Sequence, residues 1–371
     1  MSTGNKIDIY ELRITELEEI LSSWGEPSYR ARQTWKAMYR DLINNPGEIT
    51  TLPNNLRQRL AASFDFTGLN SIRYSESKDR QTKKQLFELR DGKTIETVLM
   101  KYDDIGRDRT RRTVCISSQS GCAMGCVFCA TGQMGFQRNL TSGEIVEQVL
   151  YFERLLRSEG DKLTNVVVMG MGEPFHNYEA TLNAIDRLND PNGFNFGARR
   201  FTISTVGIVP VIRKFTQERR QVNLAISLHA ANDSLRSSLI PLNRKYHLDD
   251  LMSVCREYVE TTHRRITFEW ALIDGVNDTL HQAQELCQRL HLFRIGNSMM
   301  CHVNLIPLNP IQKYHGKAAN QHNVLMFMEQ LENQKIPVSI RRRRGIDINA
   351  GCGQLATKAI EEISAFREVV N

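Results

Sequence analysis

Nothing in this 371-residue chain approaches the ~20 consecutive apolar residues of a membrane-spanning helix, so a helical integral membrane protein is excluded. The stretch Met1 to Ile9 is polar and lacks the basic, apolar, small-residue order of a secretory leader; the expected compartment is a reducing cytoplasm. There the eight cysteines are expected as thiols or metal ligands rather than disulfide staples. Low-complexity segments are absent, and so is any repeat beyond an alternation of strand and helix patterns. A large excess of one charge is missing too: net charge is +6 and the pI near 8.9, which favours polyanionic partners without naming one. What remains is an ordinary globular composition, 41% hydrophobic and 24% charged, able to bury a full core. The length suits one large α/β domain with a small appendage.

Residues 1–90 carry helical periodicity. Leu12, Leu17, Ile20 and Leu21 mark one helix and Trp35, Met38, Tyr39 and Leu42 a second, with Gly25 and Pro27 between them. A third follows Pro53, with Leu56 and Leu60 on one face. Between Gln85 and Met100, alternating runs at 86–89 and 95–99 flank Asp91-Gly92, which predicts a β-hairpin. Candidate strands at 113–117, 165–170, 201–205, 223–228, 266–273, 302–306 and 337–342 then alternate with helical patterns. The first of those helices opens on Thr141-Ser142-Gly143-Glu144, the spacing of a capping box. Repeated βα units imply a parallel sheet with helices outside, as a barrel or as an open doubly wound sheet. The expected division is a helical accessory domain over 1–90, including the start of the hairpin, and a second domain over 91–371.

The segment Gly121-Cys122-Ala123-Met124-Gly125-Cys126-Val127-Phe128-Cys129 follows the first of these strands. Its cysteines therefore fall at a strand's carboxyl end, where parallel α/β folds place their sites. The Cys-x-x-x-Cys-x-x-Cys spacing offers three thiolates to the four irons of a 4Fe-4S cubane and leaves one iron open. An open iron can chelate S-adenosyl-L-methionine and pass an electron to its sulfonium, which yields a 5′-deoxyadenosyl radical. Phe128 is the expected apolar cover. Zinc is the alternative use of such spacing, with Cys115 or Cys352 completing a tetrahedron, but no second cysteine pair matches paired zinc knuckles. The run Met169-Gly170-Met171-Gly172-Glu173-Pro174 ends the next strand; Gly172 lets the backbone approach a ligand, and Glu173 can accept hydrogen bonds from an ammonium group. Ser204, Ser227-Leu228-His229 and Asn309 end later strands. Singly each reads as a helix cap or a satisfied polar residue, and together they look like a polar rim for ribose and methionine.

These residues resemble the RlmN/Cfr family of radical S-adenosylmethionine adenosine methyltransferases. The resemblance runs over nearly the whole chain. It rests on the Cys122, Cys126 and Cys129 trio, Gly172-Glu173-Pro174, Ser227-Leu228-His229, Pro27-Ser28-Tyr29-Arg30, Leu52-Pro53 and Gly345-Ile346-Asp347-Ile348-Asn349-Ala350-Gly351-Cys352-Gly353-Gln354-Leu355. It implies a radical-SAM partial (βα)6-type barrel, a small N-terminal helical domain and a β-hairpin extension. It implies methylation of carbon 2 of an adenosine in 23S rRNA and in tRNA, using two molecules of S-adenosylmethionine and an electron donor such as flavodoxin or ferredoxin. By the same resemblance Cys352 carries the methyl group, Cys115 is the second essential cysteine and can close a disulfide with Cys352, and Glu96 accepts the ring proton. The chemistry is sound: carbon 2 of adenine is electron-poor and has no lone pair with which to attack a sulfonium methyl, whereas a thiolate can take that methyl.

By spacing alone Cys352 reads as a buried thiol and Glu96 as a solvated strand residue; Cys255, Cys287 and Cys301 match no motif and read as small hydrophobes. Ala350-Gly351 stands where the family usually has two alanines, and the glycine is expected to loosen the Cys352 loop. Pro174 sides with the RlmN branch, since Cfr-type chains resemble this motif with alanine; Cfr-type methylation of carbon 8, a resistance function, is the alternative activity. A zinc-stabilised RNA-binding protein without catalysis is the alternative from another class. Basic residues gather at Arg107, Arg109, Arg111 and Arg112, at Arg199 and Arg200, and at Arg341 to Arg344. The first and last runs flank Cys115 and Cys352, as phosphate contacts would if they positioned a folded RNA with a flipped or unstacked adenosine.

Overall fold

The computed structural model describes residues 6–103 and 110–356, so Arg107 and Arg109 lie outside the described residues. Strands β1 (Asn70–Glu76), β2 (Thr82–Glu88) and β3 (Thr94–Tyr102) form an antiparallel meander. The turn at Asp91-Gly92 joins β2 to β3 as predicted, with Gly92 at φ 76. The first strand, β1, escaped the sequence pattern because its polar residues are exposed on both faces and show no apolar period.

Seven strands follow: β4 (Arg111–Ile116), β5 (Asn165–Val168), β6 (Phe201–Thr205), β7 (Asn223–Ser227), β8 (Ile266–Leu272), β9 (Cys301–Pro307) and β10 (Val338–Ile340). They match the predicted positions, and their buried, β-branched runs such as Val166-Val167-Val168 suit strands covered on both faces. From β4 to β10 every pairing is parallel, and neighbours in the sheet are neighbours in the sequence; β3 joins antiparallel to β4, giving ten strands in one sheet. That order decides between the two architectures left open by the sequence. A doubly wound sheet reverses its order at a switch point, whereas this sheet winds in one direction, as a barrel does. No ladder among the described residues joins β10 back to β4, so the barrel is partial.

Helices α1 (Ile14–Ser23), α2 (Ser28–Tyr39) and α3 (Asn54–Ser63) bury Leu17, Leu21, Trp35, Met38, Leu56 and Leu60. Leu42, expected on the second helix, lies past its end with φ 61. A short helix α4 (Ala130–Met134) follows the cysteine trio, and α5 (Ser142–Ser158) opens on the predicted capping box: the Glu144 N–H donates to Thr141 Oγ1 (3.2 Å) and the Thr141 N–H to the Glu144 carboxylate (2.9 Å). The N-terminal helices share one hydrophobic core with α5 through Tyr10, Tyr39, Ile145 and Val149.

Polar bonds close the same seam. Glu11 accepts from Ser142 Oγ (2.9 Å) and the Gly143 N–H (3.0 Å) at the N-terminus of α5, where a carboxylate is favoured. Arg187, on α6 (Tyr178–Asn189), donates to the Tyr10 carbonyl (2.8 Å), to Ser142 Oγ (2.8 Å) and to the Glu11 carbonyl. No described helix is long and apolar enough to cross a membrane.

Candidate active site at the barrel mouth

The carboxyl ends of four of the parallel strands border a cavity that is partly open to solvent. Cys115 reaches it from β4, Met169 and Gly170 from just past β5, Asn309 from just past β9 and Arg341 from just past β10. Cys352 and Cys129 line it as well. The Cys352 segment arrives from far along the chain and is strapped to the cysteine trio. Ala130 donates its N–H to the Gly353 carbonyl (2.8 Å) and Thr131 Oγ1 donates to the Leu355 carbonyl (2.6 Å). Asn309 Nδ2 donates to the Cys352 carbonyl (3.0 Å), and Gln354 Nε2 to the Pro310 carbonyl (2.9 Å).

Burial pushes the Cys115 thiol up to about 12, Cys352 adds to this, and the Arg341 guanidinium works against it. Its neighbours, Cys352 foremost and then the Glu269 carboxylate, hold Arg341 above its ordinary value against the effect of burial. All eight cysteines are free thiols, so the disulfide that the resemblance pairs between Cys115 and Cys352 is not made in this structure, although both line one cavity. Cys255, Cys287 and Cys301 are buried in the core.

Gly351 does something other than loosening its loop. Its φ is outside the left-handed region, but a Cβ there would stand 2.6 Å from Asn309 Nδ2 and 2.7 Å from Gln354 Oε1. The glycine makes room for the two side chains that hold the Cys352 segment.

Glu96 is not solvated: it is 5% exposed on β3, away from the cavity lining. Lys84 Nζ lies 2.7 Å from its Oε1, and the Ala356 N–H donates to Oε2 at 3.0 Å. Lys84 also donates to the Asn349 carbonyl (3.2 Å), so one lysine ties Glu96 to the segment bearing Cys352. Burial raises the Glu96 carboxyl above its ordinary range, and Lys84 opposes the shift. Sequence reasoning missed Lys84. The hairpin register was the available signal: Lys84 pairs with Val98, two residues from Glu96 on the same face.

Cys122, Cys126 and Cys129 occupy the loop between a short strand, Gln119–Gly121, and α4. The Cys122 N–H donates to the Gly135 carbonyl (3.0 Å), which pins the start of the loop. Burial pushes Cys122 up to about 12 and raises Cys126 and Cys129, and their mutual repulsion adds to the effect. Cationic iron would offset both costs, so this all-thiol donor set fits a 4Fe-4S cluster. Among the described residues no three His, Cys, Asp or Glu side chains converge to hold a single ion; a cubane instead takes each thiolate on a different iron. Phe128 packs its ring edgewise on His229, with centroids 4.9 Å apart.

Gly172, at φ 100, passes so close to Gln119 that a Cβ would meet its Cβ at 2.5 Å. Glu173 beside it is buried, accepting from the Phe175 N–H (2.9 Å) and the Val206 N–H (2.8 Å). Burial lifts its carboxyl to about 7 against those bonds, and its charge acts on Cys122 and Cys126. Ser204 Oγ lies 3.3 Å from Ser227 Oγ on adjacent strands, and neither lines the cavity that holds Cys352. Leu228 and His229 are turned inward. The Leu228 side chain is buried and its N–H donates to the Glu269 carbonyl (3.1 Å). His229 Nδ1 accepts the Ala271 N–H (2.8 Å), which places the ring proton on Nε2, and burial lowers its pKa to about 3.

Residues 116–287 match the model of the radical SAM superfamily, and residues 7–65 match the ribosomal RNA large subunit methyltransferase N-terminal domain. A protein of Myxococcus xanthus described as dual-specificity RNA methyltransferase RlmN 1 is 47% identical over 96% of this chain and 96% of its own length. A probable dual-specificity RNA methyltransferase RlmN of Chloroflexus aurantiacus is 46% identical over 94% of this chain and 92% of its own. The chain belongs to the RlmN family. A crystal structure of a radical SAM methyltransferase from Sphaerobacter thermophilus, 49% identical, superposes with a TM-score of 0.88 over 94% of this chain and 99% of that one. Membership in this family implies a 4Fe-4S cluster and S-adenosylmethionine, and the thiol trio suits the first of these.

Proposed function

We propose that this protein is a radical S-adenosylmethionine RNA methyltransferase that methylates carbon 2 of an adenosine in 23S rRNA and in tRNA, with Cys352 carrying the methyl group. The observation that supports this best is that Cys352, Cys115 and Cys129 line one cavity whose wall includes Arg341 to Arg344. The names of the relatives support RNA as the substrate class.

Cys122, Cys126 and Cys129 would hold a 4Fe-4S cluster, which when bound would supply one-electron reduction of S-adenosylmethionine, with a flavodoxin or ferredoxin as its electron donor. The remaining roles belong to the chain's own groups. Glu173 accepts from the ligand's ammonium with the lone pairs its amide donors leave free, and Ser204 and Ser227 present hydroxyls to its ribose. The main chain at Leu228 and His229, and Asn309, complete that rim. Cys352 takes the methyl on sulfur and presents it to the adenine. Glu96, made more basic by burial and steadied by Lys84, accepts the proton from carbon 2. Cys115 rests protonated beside Cys352 and is the thiol that releases its sulfur from the product. Arg341 to Arg344 hold phosphates at the mouth.

The test compares the parent with Cys352→Ala, both reconstituted anaerobically and given rRNA, followed by mass spectrometry of the digested RNA. Expected are 2-methyladenosine from the parent and neither methylated protein nor methylated RNA from the variant. Methylated RNA from the variant overturns the carrier role, and 8-methyladenosine from the parent replaces the reading with the Cfr-type activity.

A further inference from the structure

Arg236 is 1% exposed, on a helix (Asp233–Leu239) packed beneath the cysteine loop. Its guanidinium donates to the carbonyls of Val206 (2.6 Å), Ser227 (3.1 Å) and Leu228 (3.1 Å) and to Asn243 Oδ1 (2.9 Å), every one a neutral acceptor. Among the described residues no carboxylate forms an ion pair with it; Asp233 acts through Asn243, which donates to its Oδ1 at 2.8 Å. Dipoles satisfy the guanidinium's hydrogens without neutralising its unit charge, and a buried charge with no ion-pair partner is costly.

Of the trio, Cys126 is buried in the apolar cluster that Leu239, on the same helix as Arg236, helps to form. Its loop and that helix are also joined by a hydrogen bond. Val127 donates its N–H to the Leu239 carbonyl (3.1 Å), and Ile240 belongs to the same apolar cluster. The same guanidinium grips Ser227 and Leu228, so the cysteine loop and the proposed ligand rim share one anchor.

We infer that Arg236 is the fixed counter-charge of the iron–sulfur centre, setting its reduction potential as well as anchoring the strand ends around it. This rests on the reading that Cys122, Cys126 and Cys129 hold a 4Fe-4S cluster. When one electron passes from a flavodoxin- or ferredoxin-type donor, the donor is oxidised, the centre gains one negative charge and no proton moves. A cation held nearby in a medium of low dielectric favours the more negative state. Arg236 therefore raises the potential and brings the centre within reach of its donor.

The experiment uses the full chain reconstituted anaerobically with iron and sulfide, with iron counted and the midpoint potential read by dithionite titration under electron paramagnetic resonance. Arg236→Gln is expected to weaken reduction about ten-fold, equivalent to ~59 mV more negative for one electron. Arg236→Lys keeps the charge and is expected to stay within about two-fold of the parent. A loaded Arg236→Gln protein with the parental potential overturns the inference. Should that variant fail to load iron, Asp233→Asn decides: it leaves the guanidinium in place and removes the negative charge behind Asn243. A shift to more positive potential supports the inference and an unmoved potential overturns it. A parent chain that takes up no cluster overturns the cluster reading itself and this inference with it, which separates the two failures.

Discussion

The seam between the N-terminal helices and the barrel, and the mouth of the barrel, both bury charge, but they finish it differently. At the seam Arg187 reaches two carbonyls and a hydroxyl, and both Glu11 carboxylate oxygens have donors. At the mouth Arg341 is subject to the Glu269 carboxylate as well as to Cys352 and Cys115, and Asn309 Oδ1 is buried with no partner among the described residues. At the seam the bonded groups act as fastenings, although Arg187 Nε and Tyr39 Oη are buried there without a partner among the described residues. Groups with unused valence at the mouth are free to act on a ligand or a proton.

That contrast breaks most sharply at the mouth. Cys115→Ser is expected to cut release of methylated RNA at least ~10³-fold while stability stays within about 1 kcal/mol, since volume and burial are nearly unchanged. Single-turnover assays beside urea denaturation check it, and an equal loss in both would erase the distinction between the regions. At the seam the converse holds. Arg187→Leu strips three hydrogen bonds from a charged donor and is expected to cost ~3 kcal/mol in urea denaturation, with activity per folded molecule within about two-fold.

Lys84→Met sharpens the comparison. Without the lysine, only the Ala356 N–H and the Arg73 charge oppose burial at Glu96, its carboxyl holds a proton to higher pH, and the acid limb of the pH–rate profile moves up by about one unit. Lys84→Arg should return the limb, whereas a limb unmoved in Lys84→Met removes Glu96 from the rate profile.

Asp8 and Glu147 are the seam's counterpart, two buried carboxyls raised above the ordinary range by desolvation, with Glu11 and Asp65 adding to Asp8 and Asp8 adding to Glu147. A raised carboxyl binds its proton more tightly in the folded state. Its contribution is therefore complete below the ordinary carboxylate range and lost as pH rises through the raised value. Urea midpoints of the parent and Asp8→Asn should diverge by ~1 kcal/mol between about pH 5 and about pH 8, with only the parent losing the Asp8 contribution. Parallel curves would falsify the assignment.

The smallest effect is expected for Gly351→Ala. The new methyl meets Asn309 Nδ2 and Cγ and Gln354 Oε1, and both side chains must shift to admit it. Stability should change by less than ~1 kcal/mol and the rate of RNA methylation by a few-fold, because Asn309 holds the Cys352 carbonyl.

Much of the fold was legible because its signals are local. Periodicity located all seven parallel strands, Asp91-Gly92 located the hairpin, and Thr141 with Glu144 located the start of α5. The strand β1 was not, since a sheet-edge strand with both faces exposed needs no apolar alternation. Among candidate site residues, the trio was legible by spacing, whereas Cys352 and Glu96 read as bland residues until the family motifs were weighed.

The sequence by itself determined the alternation of strands and helices, the local thiol trio and the family, because each is written in residues near one another or in motifs held as strings. Tertiary structure alone decided that the sheet winds in one direction. It also decided that Cys352 shares a cavity with Cys129 and Cys115, that Lys84 clasps Glu96, and that the helix carrying Arg236 packs on the Cys126 loop. Those contacts join residues that only chain winding brings together, and what makes them matter is burial: out of water a single charge reaches its neighbours with far greater force.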